Sequence, residues 1–378
     1  MRAVTAIRRK ALFRGTAAAA SLLLIGVVAF VGLFWRGCQG LPANVANCPV
    51  TPTAPSNTSV IPPAIEPPTP ALCGFPLSIS VPTQGATVNS PANVVAQASP
   101  PDQIYWMRLY VDGLAVYYSF TTNINQFIWM ANGSHTVEVV AEDVAGYIAT
   151  ATTQVNVATQ LPGVSNIQNL PGWQSCSAAL HNGYTCAAGL GTATSQLIQG
   201  QSSPSLDGTS AEFTMGGPHP YSNELYWYPL GGGSSVSHFT YDLYFYVDDG
   251  NAPQSLEFDV NQAFGGTRWT FGTQCDFNQS GKWNIWDPLD EVWRLTSVPC
   301  VHFPSKTWIH LVWNFERVGN QVHYIDLSVA DNDYTIDTYY TAQPQWYQEE
   351  IDVAFQMDGN YEQQPYNVWL DEVTLNAY

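Results

Sequence analysis

Ser255 to Gln262, SLEFDVNQ, sets two carboxylates at alternate positions of a strand-like run. The period of two sends Leu256, Phe258 and Val260 to one face and Glu257, Asp259 and Asn261 to the other. Carboxylates sharing a face suit four roles: an acid/base pair, a hard-cation site, the rim of a sugar groove, or solvated surface. Downstream, GKWNIWDPLDEVWRL brings Trp283, Trp286 and Trp293 close together, and NELYWYPLGGG adds Tyr226, Trp227 and Tyr228. Aromatic faces stack on sugar rings while nearby Asp, Asn and Gln bind hydroxyls. The carbohydrate-binding candidates are therefore Trp227, Trp283, Trp286, Trp293, Glu257, Asp259 and Asn261. Core packing is the competing role for each tryptophan.

The elements that must position these residues are strands. HFTYDLYFYVDD, TWIHLVWNFERV, QVHYIDLSVA, IDVAFQMDG and NVWLDEVTLNAY all alternate, and residues 161–378 show no convincing helical period. So many strands in over 200 residues predict a two-sheet jelly roll. Residues 75–160 hold about seven shorter strands, the spacing of a separate β-sandwich, with Asn132-Gly133 reading as a hairpin turn. Residues 36–74 are Pro-rich and predict an extended stalk. Residues 16–35 are uninterruptedly apolar and follow a basic segment over 1–15, which predicts a membrane anchor or signal with everything beyond it exported.

Charge follows the same division. Six of the twelve Lys and Arg precede residue 40, and all thirty Asp and Glu follow it, leaving a formal −24 on the remainder. Such a surface repels phosphate backbones and excludes nucleic acid as a partner. Export makes disulfides available to the seven cysteines; the expected pairs are Cys176 with Cys186 and Cys275 with Cys300, while Cys38, Cys48 and Cys73 flank the stalk. No zinc spacing, nucleophile elbow or phosphate loop occurs, and His310 in TWIHLVW reads as a structural imidazole.

The segments VPTQGATVNSPANVVAQA, MRLYVDGLAVY and NGSHTVEVVAEDVAGYIATATTQVNV resemble, in order, a bacterial immunoglobulin-like domain. That resemblance implies a spacer or presentation module, with Trp106 and Trp129 as packing residues. LEFDVNQ, TWIHLVWNFERVGNQVHYIDLSV and VWLDEVTLNAY resemble the concanavalin A-like lectin/glucanase superfamily. Within it, glycoside hydrolase family 16 implies a strand bearing a nucleophilic Glu, an Asp and an acid/base Glu. Glu257 and Asp259 match the first two positions, and Asn261 or Gln262 stands at the third. An amide cannot protonate a leaving oxygen, so catalysis would need another acid, such as Asp358, brought across the groove. The same Glu-x-Asp resembles the metal ligands of legume lectins, but the downstream loop offers only Asp276 of the remaining set.

The expectation is an all-β chain: an N-terminal transmembrane helix, an immunoglobulin-like sandwich and a concanavalin A-like two-sheet jelly roll. It is a bacterial envelope protein, anchored with its domains outside the cytoplasm, or secreted if the N-terminal segment is cleaved. Its C-terminal domain binds a neutral glycan or a surface partner without catalysis. A β-glucanase-type hydrolase with a non-standard acid, or a structural envelope protein, is the alternative. No cofactor is expected beyond a possible structural calcium, with Asp371 as its candidate ligand.

Overall fold

The computed structural model describes residues 75–99, 103–160, 163–176, 193–300, 303–344 and 349–378. The apolar segment 16–35, the Pro-rich segment 36–74, Cys38, Cys48, Cys73 and Cys186 lie outside the described residues.

Eight strands form a small sandwich: β1 (Leu77–Val81), β2 (Ala86–Ser90), β3 (Ala92–Ala98), β4 (Ile104–Val111), β5 (Leu114–Ser119), β6 (Asn123–Ile128), β7 (Gly133–Asp143) and β8 (Ile148–Gln160). One sheet runs β1-β3-β6 and the other β2-β8-β7-β4-β5, around a core that includes Val94, Met107, Leu109, Ile128 and Val139. Asn132-Gly133 does not close a hairpin. It lies on the crossover from β6 in one sheet to β7 in the other, because Trp129, just after β6, is buried outside the small core. A turn-compatible dipeptide permits a hairpin, but tertiary burial of its flank decides otherwise.

The remaining strands are β9 (Gly163–Val164), β10 (Gln174–Ser175), β11 (Thr194–Gln201), β12 (Ser210–Gly216), β13 (Asn223–Pro229), β14 (His238–Val247), β15 (Pro253–Phe264), β16 (Thr267–Phe271), β17 (Thr273–Asp276), β18 (Lys282–Asp287), β19 (Val292–Pro299), β20 (Trp308–Val318), β21 (Gln321–Val329), β22 (Asn332–Thr341), β23 (Gln343–Pro344), β24 (Glu350–Gly359) and β25 (Tyr366–Ala377). They make two large antiparallel sheets, β10-β13-β24-β15-β17-β18-β19 and β11-β12-β25-β14-β20-β21-β22. Strict alternation explains their packing: every second residue of β14, from Phe239 to Val247, is buried. Between the sheets Phe245 meets Phe258 and Phe303, and Trp283 meets Phe258 and Trp313. Cys275 and Cys300 are disulfide-bonded, as the spacing predicts. Cys176 is also disulfide-bonded.

The two sandwiches meet through Gly231-Gly232-Gly233. Trp129 of the small sandwich is 2% exposed and belongs to the core of the large one. Gln126 Nε2 donates to Pro229 O, and Glu349 N–H donates to Ala115 O at 3.1 Å. A Cβ on Gly231 would overlap Ile128, and one on Gly232 would lie 2.7 Å from Val116. The glycine run is therefore a contact surface that only bare backbone can provide.

Gly231 also has φ +75, a conformation that disfavours side chains. Gly231→Ala should destabilise the chain by about 1–3 kcal/mol through overpacking and strain. Gly265 has φ +56 with nothing near its Cβ position, so Gly265→Ala reports strain alone. Urea unfolding of both variants should show the larger loss at Gly231; equal losses would contradict the interface role.

Candidate functional site

Leu256, Phe258 and Val260 of β15 are fully buried between the large sheets, which commits Glu257, Asp259 and Asn261 to the outward face. Register extends this face in rungs. Asp259 pairs with Ala354 of β24, and Ala354 with Trp227 of β13. On its other side Asp259 lies across from Gly272, between β16 and β17, and Trp286 N–H donates to Gly272 O at 2.9 Å. Trp286 pairs with Trp293 of β19, their rings in edge contact at 5.1 Å. Asp259 thus sits on a floor of Ala354 and Gly272 between half-buried aromatics. A Cβ on Gly272 would stand 2.8 Å from Trp286 Cβ and 3.5 Å from Trp293. Four strand spacings separate Trp227 from Trp286, on the order of 19 Å between backbones.

The next rung is polar: Gln356, Glu257, Gln274 and Asn284 stand side by side. Gln274 Nε2 donates to Glu257 Oε1 at 3.0 Å, and Asn284 Nδ2 donates to Gln274 Oε1 at 3.2 Å. Beyond it, Ser255 Oγ donates to Asp358 Oδ2 at 2.6 Å, and Gln356 Nε2 to Asp358 Oδ1 at 3.1 Å. On the other side of Asp259, Asn261 Nδ2 donates to Asp352 Oδ1 at 2.8 Å.

This carboxyl row resists ionisation. Burial, then the charges of Asp358 and Asp259, hold Glu257 well above the ordinary carboxylate range. Asp358 is also raised by burial, but hydrogen bonds from Ser255, Glu257, Asn223 and Gln356 favour its charged form. Burial pushes Asp259 up to about 7 against the Thr273 N–H it accepts at 2.8 Å. Asp352 is likewise pushed up to about 7, by burial and then by the charge of Glu350.

Asp358 is the acid that folding brings beside Glu257, and the two are in direct hydrogen-bond contact.

Of the sequence candidates, Trp227, Trp286, Trp293, Glu257, Asp259 and Asn261 lie on one face. Trp283 does not: it is 0% exposed, packed on Phe258 and Trp313, and has no face to offer a ligand. Tyr226 and Tyr228 are likewise core residues. The separating signal is parity. Trp283 alternates in step with Ile285, and Trp286 with Lys282 and Asn284. The same parity in IDVAFQMDG marks Asp352, Gln356 and Asp358, which belong to the site, but only strand pairing places them beside Glu257. Gly272 carries no such signal.

Asp371 accepts hydrogen bonds on both oxygens, from Gln168 Nε2, Glu372 N–H, Ser205 Oγ and Leu206 N–H. Among the described residues no His, Cys, Asp and Glu cluster is arranged to hold a metal. Asp276 accepts Gln279 N–H and Ser280 N–H in a turn. His310 lies on the other large sheet, bonded to Asp242 at 2.8 Å and stacked on Tyr244, beside an open depression of about 420 Å³.

Residues 77–139 match the bacterial Ig domain family. Comparison with curated protein sequences finds no match. Among solved structures the chain is similar to carbohydrate-binding modules of the β-sandwich superfamily, at 13% identity and TM-score 0.30, covering 80% of this chain and 96% of that one. It is also similar to the cellulose-induced protein Cip1, at 11% identity and TM-score 0.36, covering 56% and 96%. A third similarity is to the lectin UEA-II complexed with galactose, at 11% identity and TM-score 0.30, covering 55% and 98%.

The raised carboxyls make stability depend on pH. Asp259 and Asp352 titrate near 7 when folded and near 4 when unfolded, so the folded chain binds more protons between those values. Stability should be fully present below about pH 4 and fall as pH rises through about 7. Urea unfolding at pH 5 and pH 8 should show the loss, and Asp352→Asn should reduce it; a flat profile would contradict the burial of charge.

Proposed function

We propose that the C-terminal sandwich is a concanavalin A-like recognition domain that binds a glycan along the Asp259 face without cleaving it. The observation that carries this reading is the Asp259 rung, with Ala354 and Gly272 as a low floor and Trp227, Trp286 and Trp293 as half-buried walls. Small residues between aromatics leave room for a ring to stack, and the amides and carboxyls beside them orient hydroxyls. Asn261 and Gln262, standing where a family 16 hydrolase would carry its second Glu, favour binding over hydrolysis. In this reading the basic-flanked apolar segment 16–35 and the Pro-rich segment 36–74 tether the domain outside the cytoplasm, and the immunoglobulin-like sandwich presents it.

A glycan array on the purified chain, beside a reducing-sugar assay on β-glucans, tests the proposal. Binding should be weakened about 30-fold by Trp286→Ala, the effect of losing about 2 kcal/mol at a central aromatic contact. Trp283→Phe, a core change, should leave affinity intact. Release of reducing sugar abolished by Glu257→Gln would overturn the non-catalytic reading.

A further inference from the structure

The amides of the groove floor are oriented by carboxyls. Asn261 Nδ2 is turned to Asp352 and Gln356 Nε2 to Asp358, while Gln274 Nε2 faces Glu257 and so presents its oxygen to Asn284 Nδ2. Reversing Asn284 would set oxygen against oxygen, and Asn261 turns its N–H to the ionised form of Asp352. One N–H of each of these amides is consequently spent within the floor, and three of the floor's amide oxygens are left as buried acceptors. Asn223 Oδ1, Asn261 Oδ1 and Asn284 Oδ1 have no partner among the described residues, on side chains 4%, 5% and 3% exposed. A buried acceptor without a donor is costly, and its natural complement is a ligand that donates.

Charge points the same way. Asp358, Glu257, Asp259 and Asp352 run along the two central strands, and none is ion-paired among the described residues. The cations of this face are Arg268, paired with Glu350 at 2.9 Å and close enough to favour the charged forms of Asp259 and Asp352, and Lys282, which lies across from Asp276. Asp259, midway between the aromatic walls, accepts the Thr273 N–H on one oxygen and has no donor among the described residues on the other.

We propose that the groove selects a glycan bearing amino groups, with a protonated amine of the sugar chain seated over Asp259 between Trp227 and the Trp286–Trp293 pair. This rests on the glycan reading and names its substrate class. An ammonium brings three donors and asks for none, which suits the unpartnered amide oxygens of this floor and the second oxygen of Asp259. Its charge also favours the ionised forms of a carboxyl row that otherwise repel one another.

Isothermal titration of the full chain, in detergent at pH 6 and low salt, separates the possibilities. The probes are a β-1,4-linked glucosamine hexamer and the N-acetylglucosamine hexamer of the same linkage. The amine form should bind at least about 10-fold tighter, a difference near 1.4 kcal/mol. Half-molar salt should shrink that preference, and Asp259→Asn with Asp352→Asn should abolish it. Both substitutions remove buried carboxyls, and circular dichroism checks the fold of the double variant before titration. Equal or tighter binding of the acetylated hexamer would overturn the amine preference; if Trp286→Ala still weakened that binding, the glycan reading would stand without it. Binding of neither hexamer, with a β-glucan bound instead, would also overturn the preference. An absence of binding to all three would sink both.

Discussion

The pleat of β15 ties the core of the large sandwich to its groove. Leu256, Phe258 and Val260 are fully buried between the sheets, and Phe258 meets Phe245 of the opposite sheet and Phe355 and Trp283 of its own. No one-residue slip is available, because it would place Glu257 and Asp259 among these rings. The apolar face therefore forces the carboxyls outward, onto a surface already lined by Asp352 and Asp358 of β24. Crowding acids this closely removes water from them and raises their proton affinity. The amides of Gln274, Gln356, Asn261 and Asn284 offset part of that cost by pointing their N–H groups inward. The groove's acceptor-rich character follows from this compensation.

The small sandwich constrains the same groove from one end. Ile351 N–H donates to Gly231 O, and Gly231 packs on Ile128 of β6. Asp352, one residue further along β24, pairs across the sheet with Pro229, whose carbonyl accepts Gln126 of β6. The strands that carry Trp227 and Asp352 are thus pinned where the two sandwiches meet. Burying Trp129 in the larger core makes the glycine run a packed seam between the two sandwiches, although its composition alone suits a flexible linker.

Much of this was legible in the chain, and the limits are physical. Alternation identified the strands of both sandwiches and the two faces of β15, since side-chain direction is a local property of an extended backbone. The Cys275 to Cys300 spacing identified a pair that folding brings together. Tryptophan content alone could not separate Trp283 from Trp286. Their neighbours in KWNIWD could, because parity with Ile285 or with Asn284 decides which face each ring occupies.

What the sequence determined by itself was therefore the set of elements and the facing of each residue within its own strand. Which strands lie side by side was decided only by tertiary structure. Asp358 is a hundred and one residues beyond Glu257, yet its charge acts on it, because β24 pairs with β15 in a single antiparallel register. Gly272 between the aromatic walls, and Gly231 against Ile128, matter through atoms they lack and neighbours far away in the chain. Long-range pairing is set by the sum of core contacts over the whole sheet, and no local pattern encodes that sum.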